Sequence, residues 1–277
     1  MVDSDHLPSD ETQWYLSVRR QLRFYRKTWR FLGLLIFVLV VTVAFTAFSI
    51  AEKSSGTSAA DYLYGAISNL PTFGIIIGAF IGGDAIAMDF GSGTGYYTLV
   101  LPVRRIVLLL GRYTAAFLAS FALILVFYAV ALSGAVWFYG LGGIPWLDLV
   151  ASLGLAALFA LSTLAAAFLF SSFFRSPAIS MVVTILVLFL AFLFLDGILA
   201  ITTIEPIYSL PYAGQVIALV LAGQPHETQA PIRSGAGHIT ITTWHPYLWE
   251  GVVIMLVYLV VCLVASATIY QYKESKG

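Results

Sequence analysis

Charge is what this chain of 277 residues has least of: 10% is Asp, Glu, Lys or Arg, against 60% hydrophobic. A soluble domain carries about a quarter charged residues, so this composition excludes one. The same figures exclude a disordered chain, which needs high net charge and low hydrophobicity. The 14 basic and 14 acidic residues cancel, leaving no basic surplus for binding nucleic acid. One cysteine, Cys262, allows no intrachain disulfide. No Lys occurs between Lys53 and Lys273, and none of the four His lies in an apolar run. The apolar residues come in runs of about 20 rather than in ten-residue alternations, which excludes a transmembrane β-barrel. A polytopic helical membrane protein, all-α in class, is what remains.

A membrane helix needs roughly 20 mostly apolar residues, and six segments qualify. They are 31–50, 62–85 (bent or divided at Pro71), 113–139, 147–172, 177–200 and 249–270. Lys and Arg in the connections set the orientation. Arg19, Arg20, Arg23, Arg26, Lys27, Arg30, Arg104, Arg105, Arg112, Arg175, Lys273 and Lys276 lie on one side; Lys53 and Arg233 lie on the other. The basic side is cytoplasmic, so both termini are expected there, in a multi-pass protein of the cell membrane. The organisation read from the sequence is a cytoplasmic arm (1–30), a six-helix membrane domain (31–270) and a short cytoplasmic tail (271–277). The domain carries a cytoplasmic connection at 86–112 and an outer segment at 201–248. The first 30 residues are long, mixed in charge and followed by a full span, so no cleaved signal peptide is expected.

The arm reads as an amphipathic interfacial helix. Ser9 or Asp10 caps it, and Trp14, Val18, Leu22, Tyr25 and Trp29 recur at helical spacing, with Arg19, Arg23, Arg26 and Arg30 on another face. Such a helix anchors the chain at the membrane surface or braces a neighbouring subunit.

The connection at 86–112 is the most informative stretch. Gly91, Gly93 and Gly95 break the helix that leaves the second span. Thr94 suits the cap of a short helix through Leu101, and Pro102 suits the first turn of the next. Three glycines in five residues invite a phosphate-loop reading, but GxxxxGK[ST] and GxGxxG are both absent. Nucleotide binding by this chain is therefore not expected.

The order of residues here resembles the permease subunits of ABC-2-type transporters. The matching positions are Asp89, Gly93-Thr94, Leu99, Leu101, Pro102-Val103-Arg104-Arg105 and Gly111-Arg112. The family more often has Glu at the acidic place, and Gly91 and Gly95 are extra. The resemblance extends to the interfacial helix, the small-residue-rich fourth span ending in Phe173-Phe174-Arg175-Ser176-Pro177, and a long outer segment between spans five and six. It implies an ABC-2-like exporter fold and a non-catalytic permease subunit, an exporter that forms the translocation pathway. It further implies a separate ABC-type ATP-binding subunit, which would hold ATP and Mg while this chain binds no cofactor. A second permease subunit, in a homo- or heterodimer, is also implied. Docking to the ATP-binding subunit would fall to a coupling helix with Asp89, Thr94, Gly95, Tyr96, Tyr97, Leu99, Pro102, Arg104 and Arg105.

Within the spans, Gly74, Gly78 and Gly82 form overlapping GxxxG units suited to helix packing or a dimer contact. Asn69, Thr72 and Phe73, beside Pro71, are candidate pathway-lining residues. The carboxylates Asp84, Asp89, Asp148, Asp196 and Glu250 all lie near span ends, which weighs against an ATP-independent secondary transporter or channel. An intramembrane zinc protease would need HExxH, which is absent. In the outer segment Pro206, Pro211, Pro225 and Pro231 divide the chain. The apolar run 212–221 reads as a re-entrant or interfacial helix, and 235–243 as a short extended piece. His226, His238 and His245 match no helical metal-ligand spacing and read as solvated.

Overall fold

The computed structural model describes residues 9–51, 58–88, 105–202, 204–222, 227–234 and 237–274. The first helix, α1 (Asp10–Lys27), starts where the Ser9 side chain accepts the Thr12 N–H at 3.4 Å. Acids in its first turn (Asp10, Glu11) and bases in its last (Arg26, Lys27) complement the helix dipole. It ends at Thr28, which is extended and returns its hydroxyl to Phe24 O at 2.7 Å. A 65° bend then leads into α2 (Trp29–Ala51).

The second span is divided. α3 (Ala59–Ile67), capped by Ser58 on Asp61 N, gives way at Ser68 to α4 (Leu70–Gly82). Pro71 sits in the first turn of α4. Having no N–H, it cannot continue the α3 ladder, so the break falls before it rather than at it. The two pieces still form one apolar rod, Ala59–Gly82.

α5 (Arg105–Tyr139) has 35 residues, ~52 Å at 1.5 Å per residue, against ~30 Å of hydrocarbon. The sequence placed residues 105–112 in the connection. They are instead the first turns of α5, because nothing from Ile106 to Leu110 interrupts an apolar helical run. Gly140 ends α5 at φ 69°, a left-handed position that favours glycine. α6 (Trp146–Phe173) follows after a short 3₁₀ turn, then α7 (Pro177–Ile185), a π-helical stretch at Leu186–Ala191, and α8 (Phe192–Thr202). Next come the short α9 (Leu210–Gly214) and α10 (Val216–Ala222), and last α11 (Leu248–Glu274). Among the described residues five helical stretches are long and apolar enough to cross a membrane, six with α2 and its bent partner counted as one.

The described elements are helical apart from one two-stranded antiparallel hairpin, β1 (Glu227–Ser234) on β2 (Gly237–Trp244). The extended piece read from 235–243 is its second strand. The first strand escaped notice because Pro231 argues against a strand interior, yet in a two-stranded ribbon both strands are edges and Pro is tolerated.

α6 is the centre of the core. It packs against α4, α5, α7, α10 and α11, and its small residues Ser152, Ala156, Ala160, Ala165 and Ala167 are buried. Hydroxyls link it to its neighbours: Tyr113 Oη donates to Leu161 O at 2.6 Å, and Ser162 Oγ lies 2.8 Å from Met255 O. α7, α8 and much of α11 expose large apolar side chains, among them Val182, Phe194, Val257 and Val261.

Candidate functional site

Of the coupling-helix residues, Asp89, Thr94, Gly95, Tyr96, Tyr97, Leu99, Pro102 and Arg104 lie outside the described residues. Arg105 is the first residue of α5. Both roots of the segment are well defined. α4 runs into a turn at 83–87 that leads to Met88, and besides local bonds such as Ala85 N to Gly82 O, four backbone groups of this turn find a partner on another helix. From α7, Ser180 Oγ donates to Gly83 O. From α5, Arg112 Nη1 donates to Ala85 O at 3.4 Å. From α6, Ser171 Oγ accepts both the Ile86 and the Ala87 N–H at 3.0 Å. Ile86 and Ala87 are fully buried, so without Ser171 two donors would stand unsatisfied, at about 1–3 kcal/mol each.

α1 docks on the same corner. Of the apolar stripe read as an interfacial face, Trp14 and Trp29 are 40% and 84% exposed, while Val18 is buried together with Gln13 and Ser17 from outside the stripe. Close approach decides this: a Cβ on Gly111 would sit 2.6 Å from Ser17 Cβ, so a small residue must face α5 there. Ser17 Oγ donates to Leu108 O at 3.3 Å and Tyr25 Oη to Ile81 O at 3.3 Å. α1 therefore braces both roots within its own chain. Burial pushes the Tyr25 phenol up to about 12; Asp84 adds to the rise, while Gln21 and Arg112 oppose it. The hydroxyl thus stays a neutral donor. Arg19, Arg23 and Arg26 line an outward groove of α1 with Tyr15 and Leu22.

The three glycines of α4 face α6 at matching spacing. A Cβ on Gly74 would meet Phe159 Cε1 at 2.8 Å, on Gly78 the Thr163 Oγ1 at 3.0 Å, and on Gly82 the Ala167 Cβ at 2.9 Å. Four-residue ridges thus interlock within one chain. The lining candidates diverge. Asn69 is half-buried at the α3–α4 break and Thr72 is exposed, whereas Phe73 joins Phe37, Phe45 and Phe127 at ring separations of 6.0–6.4 Å.

At the other end of the bundle, the apolar run 212–221 is helical as α9 and α10, with Tyr212, Ala213, Val216 and Ile217 buried. Ser209 caps α9 and donates to Asp196 Oδ2 at 2.9 Å, while Tyr212 Oη donates to Glu205. Burial, then Glu205, raises the Tyr212 phenol, which keeps that donor neutral. Tyr128 Oη donates to Ser152 Oγ at 2.7 Å, and Ser152 donates on to Ile217 O at 2.6 Å. A polar-satisfied, protein-covered short helix of this kind is compatible with membrane depth. His226 lies outside the described residues, His238 falls on β2, and His245 Nδ1 is 3.3 Å from Gln215 Oε1. Among the described residues no three His, Cys, Asp or Glu gather as a metal site.

The sequence reading missed Ser171, Ser180 and Arg112 as partners of one turn. The one available signal was hydroxyls at the ends of otherwise apolar spans. No curated protein matches the chain. A family model described as ABC-2 family transporter protein matches residues 37–268, from within α2 to near the end of α11, and bears out the resemblance drawn from the 89–112 motif. With most of its length matched and its helices apolar enough to cross a membrane repeatedly, the chain belongs to the ABC-2 family of transporter proteins and is a multi-pass permease of the ABC transporter class.

Proposed function

We propose that the chain is the non-catalytic permease subunit of an exporter driven by a separate ABC-type ATP-binding subunit. In the membrane it pairs with a second permease copy, identical or different. The observation that carries the reading is the anchoring of both roots of the 89–104 segment on α1, α5, α6 and α7, as a segment that receives force requires. Asp89, Thr94, Gly95, Tyr96, Tyr97, Leu99, Pro102, Arg104 and Arg105 form the coupling helix and its flanks, seated in a groove of the ATP-binding subunit. Aromatic and Arg residues concentrate binding energy in such contacts. ATP and Mg belong to that partner. The basic flanks, with Arg19, Arg23, Arg26, Arg104 and Arg105 on one side, put both termini in the cytoplasm of a cell-membrane protein. Asn69, Thr72 and Phe73 line the pathway, and α9–α10 closes its outer end as a re-entrant helix.

Co-expression with the candidate ATP-binding subunit tests this. The wild-type permease retains that subunit through purification, and replacing Tyr96, Tyr97 and Arg105 together by Ala lowers its recovery about tenfold or more. Retention unchanged in the triple variant contradicts the docking assignment. Flux through vesicles that needs no ATP-binding subunit favours a secondary transporter or channel instead.

A further inference from the structure

We propose that the 83–87 turn is the junction where motion of the 89–104 segment enters the membrane domain, with Ser171 and Ser180 as its positioning residues. The inference rests on the reading of that segment as the docking element. The turn leads within two residues into the segment, and besides its local bonds it is held from three other helices. Ser180 on α7 holds Gly83 O, Arg112 on α5 holds Ala85 O, and Ser171 on α6 holds the N–H of Ile86 and Ala87. One turn earlier, Tyr25 on α1 holds Ile81 O. All the atoms held belong to the backbone, so any shift of the turn must either break these bonds or draw the helices along.

Two features make the linkage stiff. Gly83 admits α7 so closely that a Cβ there would lie 3.2 Å from Met181 Cα and 3.3 Å from Thr184 Cβ. Arg112, near the far root of the segment, reaches back to Ala85, so both roots are fastened to one point. A push on the segment is delivered through Ser171 to span four and through Ser180 to span five. Span four is the core helix. Span five carries the π-helical stretch Leu186–Ala191, a place where a helix can change its register.

The test uses the full complex with its ATP-binding subunit in nanodiscs. A bimane probe sits on Leu141→Cys in a Cys262→Ala background, and MgATP with orthovanadate is added. Leu141 lies beyond the far end of α5 from the turn and is exposed. Ser171→Ala and Ser180→Ala should keep the partner and hydrolyse ATP within about twofold of wild type, while the vanadate-induced change in emission falls about threefold or more. Ser171→Thr, which keeps the hydroxyl, should restore it. A full probe response in the Ser171→Ala/Ser180→Ala double variant overturns the proposal. So does a lowered melting midpoint with the response per folded complex intact, since that is what a purely structural role would give. If the permease without these two changes binds no ATP-binding subunit, the docking reading itself fails and the junction with it.

Discussion

At the end of α4 proposed to face the cytoplasm, the inner end, five backbone groups are held by side chains from four other helices, whereas at the opposite, outer end α9 and α10 are held mainly by apolar contact. Gly214 lies where a Cβ would meet Phe159 at 2.7 Å and Pro71 at 2.8 Å, and a Cβ on Gly251 would meet Val216 at 2.6 Å and Ala213 O at 2.9 Å. The two ends therefore differ in how they fail. Directional bonds at the inner end fail one at a time, each at about 1–3 kcal/mol where a buried donor is left unpaired, while close packing at the outer end has no slack. That suits an inner end that must transmit motion and an outer end whose short helix must stay covered.

The comparison is broken most severely by bulk at the outer end. Gly251→Leu meets both a side chain and a backbone carbonyl, so it should cost about 3 kcal/mol and show as a lowered thermal midpoint in detergent. Gly214→Leu should act similarly, through Phe159 and Pro71. A smaller effect is expected where the outer end does use hydrogen bonds. Tyr128→Phe and Ser152→Ala should each cost about 0.6 kcal/mol, and a double-mutant cycle should return a coupling of that order, as for other bonds between membrane helices. A cycle showing no coupling would mean that the Tyr128–Ser152 bond is not made in the membrane.

The smallest expected effect concerns pH. The Tyr25 phenol is raised in the folded chain, so its contribution is fully present below about pH 10, the ordinary tyrosine value, and is lost as pH rises through about 12. Docking of α1, followed by proteolysis at the Thr28 bend, should hold constant from pH 6 to 9 in wild type. Tyr25→Phe should loosen it slightly and equally across that range. A Tyr25-dependent change near neutral pH would contradict the neutral-donor assignment.

Much of this was legible beforehand, for identifiable reasons. Apolar run length reports bilayer thickness directly, so the spans were readable from residues alone. The GxxxG stripe of α4 was readable as a packing surface, because a missing Cβ has a single steric meaning. Partners were not readable. Gly111 selects Ser17 rather than Trp14 as the docking face of α1 through a contact 94 positions apart, and no periodicity carries that. The same holds for Ser171 with Ile86 and Ala87, 85 and 84 positions apart. The hairpin was half-legible: alternating Thr and Ile in β2 announced a strand, while Pro231 concealed its mate. Hydroxyls at span ends look alike in sequence, and tertiary placement alone separates a solvated serine from one that holds two buried N–H groups.

The claim on which the account depends is physical contact between residues 96–97 and an ATP-binding subunit. Photocrosslinking measures it directly. A benzoyl-phenylalanine introduced at Tyr96 or Tyr97 should form an adduct with that subunit on illumination of intact membranes, and one at Leu141 should not. An intact complex that yields no adduct from either tyrosine position, or yields one from Leu141, would contradict it.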